Sequence, residues 1–293
     1  DTITAFTMKS DRRNCDLSFS NLCSWRFLYD TQFAVIDDFL VFKFWAGEQL
    51  AYMMPVGNGD LKAVLRKLIE DADKEKHNFC MLGVCSNMRA DLEAILPERF
   101  IFTEDRAYAD YIYLRSDLAT LKGKKFQAKR NHINRFRNTY PDYEYTQITP
   151  DRIQECLDLE AEWCKVNNCD QQEGTGNERR ALIYALHNFE ALGLTGGILH
   201  VNGKIVAFTF GMPINHETFG VHVEKADTSI DGAYAMINYE FANRIPEQYI
   251  YINREEDLGI EGLRKAKLSY QPVTILEKYM ACLKDHPMDM VRW

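Results

Sequence analysis

The chain predicts a mixed α/β fold (α+β mixed sheets) built as two tandem units, and two observations carry that prediction. Runs of β-branched and aromatic residues interleave with amphipathic helical patterns. The order strand, strand, strand, helix, strand, helix, strand occurs twice along the 293 residues. That length is about twice the common single-domain size of roughly 150 residues.

In the first unit, strands are expected at 33–36, 39–45 and 50–55, with turns at Asp37-Asp38 and Gly47-Glu48. Leu61, Val64, Leu65, Leu68 and Ile69 recur at helical spacing and predict a helix over 60–73, entered through Gly57-Asn58-Gly59-Asp60. A buried strand at 79–85, a helix near 87–95 and strands around 99–103 and 108–114 complete it. The second unit opens with a strand at 143–149 and helices at 150–167 and 177–192. Asn202-Gly203 then joins strands 198–201 and 204–212 as a tight hairpin. In the alternating strand 216–225, His222 and Glu224 share one face. A helix at 232–244, a strand at 248–253, a helix at 261–269 and a strand at 273–280 follow. The expected units are therefore 1–115 and 116–293, with a basic connecting helix at 116–138 whose Phe126, Ile133 and Phe136 face inward.

Composition narrows function. The 46% hydrophobic and 27% charged residues fit a globular protein and exclude a disordered or collagen-like chain. A formal charge of −8 argues against general attraction to nucleic acid, so any anion site must be local. No apolar run reaches the roughly 18–20 residues of a membrane-spanning helix. The first residues lack the order of a secretory signal, so a cytoplasmic protein is expected. In that setting the eight cysteines are expected as reduced thiols. Cys80-x4-Cys85 and Cys164-x4-Cys169 lack a second matching pair, and no metal is expected.

Three segments could carry chemistry. Between 122 and 137 there are seven basic residues and no acid; Lys124, Lys125, Lys129, Arg130 and Arg135 form the candidate anion patch, the alternative being a solvated helix face. The turn 225–235 brings Lys225, Ile230, Gly232, Ala233 and Tyr234 to a helix start whose small residues leave backbone N–H groups open to an anion, although packing is the commoner reason for such residues. Asn253, Arg254, Glu255, Glu256 and Asp257 follow a buried strand, with Arg264, Lys265 and Lys267 soon after. They could line a catalytic cleft or simply pair with one another. No G-x-S-x-G, P-loop, G-x-G-x-x-G or H-E-x-x-H motif occurs.

YLRSDLATLKGKKFQAKRNHINRF (113–136), HVEKAD…GAYAMIN (222–238) and NREEDLGIEGLRKAKLSYQP (253–272) resemble the C-terminal catalytic domain of phosphatidylglycerol lysyltransferases and their soluble relatives. The resemblance spans nearly the whole chain. It implies two tandem GNAT-like acyltransferase domains, related to Fem-type aminoacyltransferases, with the donor's pyrophosphate at 225–233. It further implies acyl-CoA or aminoacyl-tRNA as donor, with tRNA as a partner in the second case, and a small-molecule or lipid-head-group acceptor. Two departures stand beside it: no membrane-spanning part is present, and the Gln/Arg-x-x-Gly-x-Gly/Ala loop of coenzyme A users is not matched by 225–235. The expected roles are Glu224 or Asp257 as base, Arg264 and Lys267 on phosphate or the developing oxyanion, and Asn253 and Tyr270 orienting substrate. A binding module for RNA or a nucleotide, without turnover, is the alternative. The sharpest expectation is that Glu224, Asn253, Asp257 and Lys267 converge on one cleft, with Lys267 exposed in it.

Overall fold

The computed structural model describes residues 2–167 and 173–284. Three short helices open the chain: α1 (Thr2–Thr7), α2 (Phe19–Ser24) and α3 (Arg26–Tyr29). Next come β1 (Gln32–Ile36), β2 (Phe39–Ala46), β3 (Gln49–Tyr52) and the two-residue β4 (Val56–Gly57). Helix α4 (Leu61–Lys74), strand β5 (Cys80–Cys85), helix α5 (Ser86–Ile95) and strands β6 (Phe100–Glu104) and β7 (Asp110–Leu114) complete the first half. The inward stripe of α4 is the predicted one, with Val64, Leu65, Leu68 and Ile69 all buried.

The expected connecting helix is broken in two, because Leu121 is left-handed and ends α6 (Arg115–Thr120) before α7 (Gln127–Thr139) begins. Phe126, Ile133 and Phe136 are buried as their spacing requires. Strand β8 (Glu144–Gln147), helices α8 (Ile153–Asn167) and α9 (Glu173–His187), and strands β9 (Thr195–Val201), β10 (Lys204–Pro213) and β11 (Thr218–Ala226) follow. Asn202 and Gly203 both take positive φ between β9 and β10, as the hairpin demands. The chain ends with α10 (Ala233–Ala242), β12 (Tyr251–Asn253), α11 (Glu261–Leu268), β13 (Thr274–Leu276) and β14 (Lys278–Leu283).

Two mixed sheets result. One runs β1-β2-β3-β5-β14-β6 with β4 beside β2, and the other runs β13-β7-β12-β11-β10-β9-β8. β3 with β5 and β11 with β12 are parallel pairs, and the other pairings are antiparallel. Aligning the parallel pairs matches β1-β2-β3 with β9-β10-β11, β5 with β12, and β6 with β13. The place between the last two is taken by β14 in the first sheet and by β7 in the second. Each half therefore lends its final strand to the other half's sheet. The expected boundary at 115/116 follows chain order and does not separate the sheets. Likewise the single strand expected at 273–280 is two strands in different sheets, parted by Glu277 alone, because periodicity carries no mark of a change of sheet.

The exchange is held by charge. Lys278, at the start of β14, is buried with its Nζ 2.8 Å from Asp110 at the start of β7, 2.7 Å from Glu256 and 3.2 Å from Asp16. Asp110 also accepts from the backbone N–H of Cys15 at 2.7 Å and from Asn253 Nδ2 at 2.8 Å. Cys80 and Cys282 face each other in register across β5 and β14 and form a disulfide, which corrects the expectation of eight reduced thiols. The topology sets these two side by side, which their separation in sequence conceals. Cys15, Cys23, Cys85, Cys156 and Cys164 are free thiols, and Cys169 lies outside the described residues.

Replacing the buried ammonium leaves the buried Asp110 and the part-buried Glu256 and Asp16 without their cation. Lys278→Met is expected to lower stability by about 3–5 kcal/mol in denaturant unfolding. A loss below about 1 kcal/mol would show that the exchange does not depend on this cluster.

Candidate active site

β12 pairs with β11 only over Thr218–Gly220 against Tyr251–Asn253, after which the two parallel strands part. The residues beyond that point line an open cavity of about 1550 Å³. One wall is the 228–235 turn and the start of α10; another is the segment 254–256 with Lys267 and Tyr270; α2, α7, α8, α9 and strands of both sheets also contribute.

Glu224 lines this cavity, with Arg254 Nη2 on Oε1 at 3.0 Å and Asn238 Nδ2 on Oε2 at 3.3 Å. Arg254 itself is nearly buried between the rings of Tyr113 and Tyr270. Lys267 lines the same cavity but is buried, its Nζ donating to the carbonyl oxygens of Arg254 at 2.5 Å and of Glu256. Burial and the Arg254 charge push its ammonium below the ordinary lysine value. The expectation of an exposed lysine is corrected accordingly: the side chain must cross buried space to reach the two carbonyls. Tyr270 is buried under the Lys129 ammonium, 3.9 Å from the ring centre, and burial pushes its phenol up to about 12.

Asn253 is fully buried and does not line the cavity. It donates to Arg13 O and Asp110 and accepts from Glu255 N–H, so it shapes the backbone at the strand end. Asp257 is also fully buried and outside the cavity lining. Burial would raise its carboxyl, but hydrogen bonds from Arg264, Tyr111 and the Gly259 N–H outweigh that and hold it well below the usual carboxylate range. A base with that many donors does not fit, and Arg264, committed to Asp257 through two nitrogens, is not placed to hold phosphate. The four-residue convergence reduces to Glu224 and Lys267, linked through Arg254.

The turn residues fare differently, for Ile230, Gly232, Ala233 and Tyr234 all line the cavity. Gly232 precedes α10 with φ of 84°, a conformation that suits glycine, and no side chain caps the helix. Lys225 also lines the cavity but is buried, bridging Glu178 at 2.8 Å and the face of Trp163 at 3.5 Å. In the basic segment, Lys124 and Lys125 are exposed, Lys125 pairs with Asp117, and Arg135 pairs with Asp231. Arg130 bonds the carbonyl oxygens of Leu121 and Gly123, closing the bend between α6 and α7. Lys129 turns into the cavity instead of lying exposed, and burial with the nearby Arg254 lowers its pKa.

The family described as "Phosphatidylglycerol lysyltransferase, C-terminal" matches residues 7–282. The chain belongs to this family. Among solved structures, the C-terminal domain of a protein described as a lysylphosphatidylglycerol synthetase from Agrobacterium fabrum is similar at a TM-score of 0.71 and 13% identity, covering 96% of this chain and 90% of that one. L-PGS from Bacillus licheniformis is similar at a TM-score of 0.66 and 18% identity, over 98% and 93%. At these identities the likeness shows the fold. An uncharacterized protein of Mycoplasmoides gallisepticum is 25% identical over 177 residues, 58% of this chain. The matched region spans only 55% of that relative's length. Among the described residues, no helix is long and apolar enough to cross a membrane.

For this family member, sequence reasoning passed over the N-terminal segment, which supplies Cys15, Asp16 and Asn21 to the cavity lining without any motif. It also named Glu255 and Glu256 only as part of a charged run. Glu256 lines the cavity beside Lys278; burial raises its carboxyl to about 7, with Lys278 opposing and Asp110 and Asp16 adding to the rise.

Two outcomes are expected. Lys267→Met should cost about 1–3 kcal/mol of stability in addition to any activity, since two buried carbonyls lose their donor. For Glu256, the folded value near 7 lies above the ordinary 4.5, so its contribution is present below about pH 4.5 and is lost as pH rises through about 7. Unfolding curves should show wild type losing stability relative to Glu256→Gln across that interval, and parallel curves would exclude the raised carboxyl.

Proposed function

We propose that this chain moves an activated aminoacyl or acyl group, from aminoacyl-tRNA or acyl-CoA, to an amine or hydroxyl of a small molecule or lipid head group held in the cavity. One observation carries the reading. The cavity brings an uncapped helix start at Gly232, Ala233 and Tyr234 to the same space as Glu224, Lys129, Arg254 and Lys267. Uncapped N–H groups donate to a phosphate of the donor. Lys129, exposed to the cavity over Tyr270, adds positive charge there.

Lys267 stands by the site where carbonyl oxygen becomes oxyanion, its positive charge oriented by two carbonyls before the reaction begins. Tyr270 and Lys225 shape the walls, while Asn253 acts through the backbone of the loop. Transfer needs no covalent enzyme intermediate, because donor and acceptor meet in one space. Membership of a phosphatidylglycerol lysyltransferase family suggests the first pair to try, lysyl-tRNA with phosphatidylglycerol vesicles. Acetyl-coenzyme A with the same vesicles is the second arm.

The test is single-turnover transfer from each donor, with thermal stabilisation of the protein by the donor alone read in parallel. Transfer from one donor supports the reading and names the donor. Stabilisation without transfer to any amine or hydroxyl offered would favour a binding module. If tRNA is the donor, the exposed lysines 122 and 124 should hold its phosphates. Lys122→Glu with Lys124→Glu should weaken tRNA binding and flatten the slope of log affinity against log salt by roughly 0.7–0.9 per lost contact. An unchanged slope would remove the segment from the interface.

A further inference from the structure

Three carboxylates, those of Glu224, Glu255 and Glu256, line the cavity where β11 and β12 part. Two are committed to cations, Glu224 to Arg254 and Glu256 to Lys278. Glu255 is held otherwise: its Oε1 accepts from Asn21 Nδ2 at 2.7 Å and meets His222 Nδ1 at 2.7 Å. His222 Nε2 lies 2.8 Å from Ser18 Oγ. Extending the parallel register of 218 with 251 places 222 opposite 255, so the contact follows from the strands themselves.

We infer that Glu255 is the proton acceptor for the attacking group, and that His222, Ser18 and Asn21 position it. A carboxylate only accepts hydrogen bonds, so neutral His222 carries its proton on Nδ1 and receives the Ser18 hydroxyl on Nε2. The imidazole is thereby fixed in tautomer and orientation, and Glu255 in rotamer. Both bonds fall on Oε1, leaving Oε2 outside them; Glu255 lines the cavity and its side chain keeps 21% of its surface, against 4% for His222. Ser18 is fully buried and out of reach of an acyl group, so the arrangement is not a covalent triad despite its order of groups.

The backbone supplies an independent reason. Glu255 has φ of 59°, the left-handed region that a residue with a β-carbon enters only when its surroundings force it. Its N–H is bound by Asn253 Oδ1 at 2.7 Å and its C=O by Tyr111 N–H at 3.1 Å, so the conformation is imposed from both sides. Relaxing it would turn the carboxylate away from the imidazole.

The inference rests on the transferase reading. In the step, the acceptor's nitrogen or oxygen attacks the donor's carbonyl carbon and the new C–N or C–O bond forms. The carbon's bond to the donor's leaving oxygen or sulfur breaks. The acceptor's proton passes to Glu255 Oε2 and then to the leaving atom, which restores the carboxylate. Lys267 and Glu256 act electrostatically on Glu255, and Arg254, Lys129 and Glu224 are further charged groups lining the same cavity.

The experiment compares wild type, Glu255→Gln, Glu256→Gln and His222→Gln in single-turnover transfer from lysyl-tRNA or acetyl-coenzyme A to phosphatidylglycerol vesicles, from about pH 5 to about pH 9. Donor affinity is measured separately. Glu255→Gln should slow transfer about a hundredfold or more with donor affinity unchanged. His222→Gln should slow it less and displace the acidic limb of the pH profile, which a merely structural contact would not do. Transfer by folded Glu255→Gln within about threefold of wild type overturns the assignment, as does loss confined to Glu256→Gln. Nitrogen-15 spectra of the His222 ring provide a readout that needs no turnover. A proton on Nδ1 in wild type, lost to mixed tautomers in Glu255→Gln, supports the dyad even if neither donor reacts, in which case only the transferase reading fails. A proton on Nε2 alone in wild type overturns it.

Discussion

The ammonium of Lys278 is the constraint on which the other features hang. It is buried at the start of one exchanged strand and meets, in Asp110, the start of the other. A buried charge is tolerable only with partners, and removal of either partner strands the rest. That requirement fixes where β7 and β14 cross between the sheets. It also reaches the active cavity, because Glu256 and Asp16, two further partners, line its wall.

From this anchor the segment after β12 is placed residue by residue. Asn253 donates to Asp110 through Nδ2 and, with its side-chain Oδ1, accepts from the N–H of Glu255. Arg254 turns toward Glu224 and the tyrosine rings, Glu255 toward His222, Glu256 toward Lys278, and Asp257 toward Arg106 and Arg264. Four consecutive polar side chains thus serve four directions, and only a backbone held at left-handed Glu255 permits that. The backbone carbonyls of Arg254 and Glu256 then converge on Lys267, so the cavity lysine is oriented by the same turn.

Much of this was legible in sequence, and the failures share one cause. Periodicity located α4, the 202–203 hairpin and the apolar stripe of α7, because those signals lie within a few residues. It could not show that β7 and β14 change places, since partners some 170 residues apart leave no local trace. The pairing of Cys80 with Cys282 was hidden for the same reason. In the charged run 253–257, residue type alone could not part a catalytic member from one that only pairs with its neighbours. Burial and partners divide them: Asp257 is saturated by donors, Glu224 and Glu256 are matched with cations, and Glu255 is held by an amide and an imidazole. The short helices ahead of β1 carried no motif, yet Ser18 and Asn21 come from there.

The two glycine-bearing turns, indistinguishable in sequence, differ in what stands at the helix start. Both lie between the third of the matched strands and the helix that follows it, as the matching of the sheets requires. At α4 the side chain of Asp60 accepts from Ala63 N–H at 3.0 Å, so a carboxylate of the protein already occupies the place an anion would take. An anion approaching there meets like charge. At α10 the capping position is Gly232, which has no side chain, and the approach is open to the cavity. The duplication thus supplies two helix starts of the same kind, and a single aspartate closes one of them. An anion at both helix starts would require Asp60 to leave its helix, whereas one at the second requires no change, so the two units offer one open helix start between them.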